Sequence, residues 1–93
     1  MRALLVCYDL GVPESSEDYQ KIADYIDTFP DWCKPLQSQW IVLSDGKSVS
    51  DVRNDLMTLT DTNDKILVID ITDDLWASAR LKTSVADWLK AKV

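Results

Sequence analysis

Apolar residues run along the chain in two rhythms, and the helix and strand breakers fall between them. Arg2–Asp9 (RALLVCYD) is apolar, β-branched and aromatic but too short for a helix, so it predicts a buried strand. Both of its faces are apolar: Leu4, Val6 and Tyr8 on one, Ala3, Leu5 and Cys7 on the other. A turn follows at Gly11-Val12-Pro13-Glu14, where Ser15 or Ser16 would cap a helix with Glu17 and Asp18 in its first turn. Tyr19, Ile22, Ala23, Ile26 and Phe29 recur at helical spacing until Pro30 stops them. Residues 33–37 and 39–44 read as short extended pieces that pair as a hairpin, and Asp45-Gly46 ends the second. Ser48 or Ser50 would cap a second helix, with Val49, Val52, Leu56 and Leu59 as its stripe. Asp61-Thr62-Asn63-Asp64 is turn chemistry, and residues 65–71 (KILVIDI) form a second strongly apolar strand. The remainder predicts a helical tail over about 75–92, with Asp73-Asp74 capping a short turn near Trp76 and a separate helix from about Thr83.

The order β-α-β-β-α-β plus a tail predicts an α+β domain of the ferredoxin-like type, with sheet order 4-1-3-2. Both intervening helices then cover one face of the sheet. The first and last strands are apolar on both sides, so the second face needs cover as well. Either the tail helix or the sheet of a second copy would supply it.

Ninety-three residues make one domain, 1–93, with no room for a second core. Ten Lys and Arg against sixteen Asp and Glu leave a net charge of −6, which disfavours a phosphate backbone and suits a protein partner. The absence of histidine removes the Ser-His-Asp triad, imidazole acid–base chemistry and His-based zinc sites. Ser38 therefore has no base to activate it, and Gly11 and Gly46 are too isolated for a phosphate loop. No apolar run approaches the roughly 20 residues of a membrane span. Asp9 cuts the N-terminal run short with no small-residue cleavage site after it. The expected location is the cytoplasm. Cys7 and Cys33 read as small hydrophobes rather than a disulfide, and Trp32, Trp40, Trp76 and Trp88 as core and interface packing.

Asp9 is the candidate for chemistry. A carboxylate at the end of a central strand suits a metal ligand or catalytic base, and equally a turn whose next amides it would bind. The topology places Asp64 near it and Asp61 a little further off. Asp70, Asp73 and Asp74 fall at the opposite edge and should not join a site with it.

The layout of Leu4-Leu5-Val6-Cys7-Tyr8-Asp9-Leu10, then Leu36-Gln37-Ser38-Gln39-Trp40-Ile41-Val42, then Asn63-Asp64-Lys65-Ile66-Leu67-Val68-Ile69 resembles the second universal CRISPR-associated protein. That family is the small ferredoxin-like subunit of spacer acquisition. Trp76 and Ala86-Asp87-Trp88-Leu89-Lys90 are similar to the tail of its SinR-like branch, and virulence-associated protein D ribonucleases are more distant relatives. The resemblance implies a homodimer with facing sheets and a CRISPR integrase or another protein as partner. It also implies that Asp9 is catalytic and metal-binding, holding Mg2+ or Mn2+ between two subunits of an endoribonuclease or endonuclease. Against this, Glu14-Ser15-Ser16-Glu17-Asp18 after Asp9 would repel a phosphate backbone. The reading from another class is a non-catalytic dimerisation or regulatory module in which Asp9 only shapes a turn.

Overall fold

Arg2–Asp9 forms the strand its pattern predicts, and it lies inside the sheet rather than at an edge. The computed structural model describes residues 1–11 and 16–93, with Ser16 described by its backbone alone. The elements are β1 (Arg2–Asp9), α1 (Ser16–Ile26), β2 (Asp31–Leu36), β3 (Gln39–Ser44), α2 (Val49–Met57), β4 (Lys65–Asp70) and α3 (Thr83–Lys92). The sheet is antiparallel, in the order β2-β3-β1-β4, so the chain is α+β with the expected neighbours. No helix among the described residues is long and apolar enough to cross a membrane.

One face of the sheet carries α1 and α2. Leu4, Val6 and Tyr8 of β1 pack with Ile22 and Ile26 of α1, and with Val52 and Leu56 of α2. Trp40 and Val42 of β3 complete this core, while Ile66 and Val68 of β4 join it half-buried. The expected cap of α1 at Ser15 or Ser16 lies outside the described residues. That of α2 is Ser48, whose hydroxyl accepts from the Asp51 amide while the Asp51 carboxylate accepts from the Ser48 amide. Between the two helices, Tyr25 donates to Asp55 at 2.6 Å, and Lys47 pairs with the same carboxylate. Burial and then Asp55 push the Tyr25 hydroxyl well above its ordinary range.

The opposite, open face is roofed in part by α3. Cys33, Ile41 and Leu89 are buried there, with Leu5, Ile71, Leu81, Val85 and Trp88 against them. Asp31 ties the roof down. It accepts from the Trp88 indole at 3.0 Å and pairs with Lys92 at 3.4 Å, contacts that hold its carboxyl below the ordinary range. The register of β2 against β3 slips between Cys33 and Leu36, across Pro35. Such a bulge is where an edge strand accommodates proline. It also turns Leu36 toward Gln39 and Ile41 on the open face.

The separate helix expected from about Thr83 forms as α3, but the tail helix expected over 75–92 does not extend before it: residues 75–79, the expected turn near Trp76 included, belong to no helix or strand. Nor do Asp73 and Asp74 cap a helical turn. Asp73 has φ +59°, left-handed backbone in which a helix cannot continue, and the Asp74 amide instead donates to the Ile71 carbonyl. A second left-handed residue, Arg80 at φ +63°, precedes α3.

The first strand is secured at its start by Arg2, which donates to Asp70 at 2.8 Å, while the Thr72 amide donates to the other oxygen of Asp70. The Arg2 bond and then the Thr72 amide lower the Asp70 carboxyl to about 2. A folded value below the unfolded value of about 3.9 means stability that is present above it and lost as pH falls toward about 2. Asp70→Asn should therefore melt earlier than wild type at pH 7, and the gap should close between about pH 4 and 2 in melting curves recorded across that range.

Candidate functional site

Antiparallel pairing sets Asp9 directly across from Lys65, Cys7 across from Leu67 and Leu5 across from Ile69. Alternation puts these three rungs together on the open face. The intervening rungs, Tyr8 with Ile66 and Val6 with Val68, face the helices. Asp9 is exposed, in a shallow hollow shared with Cys7, Lys65 and Leu67. The lysine is the neighbour that single-strand reasoning did not pair with it. Opposite charges directly across a ladder support each other by about 0.2–1 kcal/mol.

Asp64 was expected near Asp9, and it does lie beside the end of β1, but its carboxylate is spent on backbone. One oxygen accepts from the Gly11 amide at 2.7 Å and the other from the Asp61 amide at 2.8 Å. The Asp64 amide in turn donates to the Asp61 carbonyl at 3.0 Å. This clamp joins the exit of β1 to the turn before β4, and it makes Gly11 obligatory. A Cβ there would stand 2.8 Å from the Asn63 carbonyl oxygen and closer still to the Asn63 side chain. The sequence signal was the Asx-turn string itself, read as a turn but not as a clamp on a distant strand.

The remaining candidates are dispersed. Asp70 lies on the rung of Leu4, the far end of β1 from Asp9, as the topology requires. Ser38 sits in the β2–β3 turn with φ +56°, and its carbonyl accepts from the Tyr8 amide. Cys7 and Cys33 are both free thiols. Gln39 donates to the sulfur of Cys7 at 3.4 Å, and burial followed by Asp31 pushes the Cys33 thiol up to about 11. Trp40 is buried and donates to the Tyr8 hydroxyl at 3.0 Å, with Trp32 edge-on to it at 5.4 Å. Of the cations, Arg2, Lys47 and Lys92 are held by Asp70, Asp55 and Asp31, and Lys34 lies 5.0 Å from the Trp40 ring centre. Among the described residues no three His, Cys, Asp or Glu side chains converge in a way that could hold a metal ion. Among the described residues, the hollow at the open-face end of β1 is lined by one carboxylate, that of Asp9.

No protein-family model, curated protein sequence or solved structure matches the chain.

These two aspartates should separate in a mutational test. Asp64→Ala strands the Gly11 and Asp61 amides and should cost about 1–3 kcal/mol in urea unfolding. Asp9→Asn, at an exposed position, should stay within about 1 kcal/mol.

Proposed function

We propose that this chain is a ferredoxin-like subunit that works as a cytoplasmic homodimer, of the kind resembled in CRISPR spacer acquisition, and that the dimer acts as a protein-binding module. The observation that carries this reading is the uncovered half of the open face. Leu67 and Ile69 are 56% and 42% exposed, on rungs with Cys7 and Leu5, while the cluster under α3 takes in Cys33, Ile41, Leu5 and Ile71 and leaves both of them out. A strip of this kind is what a second copy would cover. A two-fold axis presents the same strip from both sides, so residues of one copy meet their counterparts or complements on the other. The rung of Asp9 and Lys65 at its end gives a self-complementary charge pair for that contact. A net charge of −6, with Arg2, Lys47 and Lys92 already held by carboxylates, suits a protein partner, such as a CRISPR integrase, better than nucleic acid.

A second reading is favoured by the position of Asp9 on the same strip. An axis near it would bring two exposed carboxylates together, and like charges at close range call for a cation or a shared proton. With Mg2+ or Mn2+ held there by oxygen ligands, the chemistry would be metal-assisted attack of water on a phosphodiester, as in an endonuclease, with Asp9 as the ligand.

Sedimentation of wild type and Leu67→Glu tests the dimer. Wild type should sediment as a dimer and the variant as a folded monomer with unchanged circular dichroism; a monomeric wild type rejects the proposal. Melting with and without magnesium tests the second reading. A rise of several degrees that disappears in Asp9→Asn supports a metal site. No shift in wild type leaves the non-catalytic module alone.

A further inference from the structure

Beside the strip, between the open face and the tail, the fold leaves a cavity of about 510 Å³. Its floor is Leu5, Ile41 and Ile71, and one wall is Leu89 of α3 with Val93 just after that helix. The other wall is the irregular strap of residues 74–79, held between the left-handed residues Asp73 and Arg80. The volume falls inside the range of about 300–1,000 Å³ typical of small-molecule sites.

Four polar side-chain groups share this apolar lining: Gln39, Asp74, Ser78 and the indole N–H of Trp76. One N–H of the Gln39 amide donates to the sulfur of Cys7, and its oxygen is an acceptor. The Asp74 carboxylate accepts, and the Ser78 hydroxyl does both. Among the described residues, no lysine or arginine lines the cavity. Such a lining suits an apolar body with a hydrogen-bond-donating head and opposes an anionic head.

We propose that this cavity is a binding site for an amphiphile with an amine or hydroxyl head, its apolar part between the sheet and α3 and its head at Asp74. The site lies within a single protomer and does not depend on the dimer proposed above. Trp76, on the strap and 40% exposed, is placed to report occupancy by its fluorescence.

The test uses dodecylammonium, dodecanol and dodecanoate, each below its micellar concentration or solubility limit, titrated against tryptophan fluorescence and checked by calorimetry. Saturable binding of dodecylammonium or dodecanol, at least tenfold tighter than dodecanoate, is expected. Asp74→Lys should narrow or reverse the preference between the two charged ligands. Ala79→Trp fills the cavity from the exposed strap without disturbing the helix-side core, and should weaken binding at least tenfold. The monomeric Leu67→Glu should bind as wild type does. Absent saturable binding, equal affinity for dodecanoate, indifference to Ala79→Trp, or loss of binding in folded Leu67→Glu would each overturn the site.

Discussion

The structure depends on one strand that is apolar on both sides and lies inside the sheet. Leu4, Val6 and Tyr8 are buried under two helices, and β3 and β4 pair on either side of β1. Ala3, Leu5 and Cys7 raise the same demand on the other face. The ten-residue α3 answers it over Cys33, Ile41, Leu5 and Ile71. Leu67 and Ile69 of β4 lie outside that cluster and stay exposed, so the open face is covered only in part.

Acidic side chains do much of the tying. Asp70 joins β4 to the start of β1, Asp64 joins the exit of β1 to the turn before β4, Asp55 links both helices, and Asp31 holds α3 to the sheet edge. Each spans elements far apart in sequence, and several accept from backbone amides that would otherwise lack partners. This use explains how a chain with a net charge of −6 can be rich in aspartate without those residues forming a site. Asp9 differs, because it faces outward at the end of an apolar strip with a lysine across from it.

The open face carries two adjoining surfaces with Leu5 between them. Toward β4 lie the exposed Leu67 and Ile69. Toward α3 lies a concave cavity, suited to a small molecule. The concave shape follows from the reach of the tail, which stands off the sheet along the strap and meets it again at Leu81 and Leu89.

Much of this was determined by sequence alone. The bounds of β1, a cap at Ser48 or Ser50 and the apolar second face follow from periodicity and breakers, because these are local properties of a short stretch, and the sheet order follows from the order of the elements. The separation of Asp9 from Asp70 follows too, since an antiparallel neighbour reverses direction. Other features were decided only by tertiary structure. Leu75, Trp76 and the alanines around them have helical composition, yet Asp73 and Arg80 take left-handed backbone and hold the strap across the face. Leu36 reaches the open face through a slip in register that no single strand encodes. Lys65 meets Asp9, and one Asp64 oxygen reaches the Gly11 amide, only because pairing joins segments more than fifty residues apart. Local pattern states which faces are apolar; the register and the path of the tail decide what each face meets.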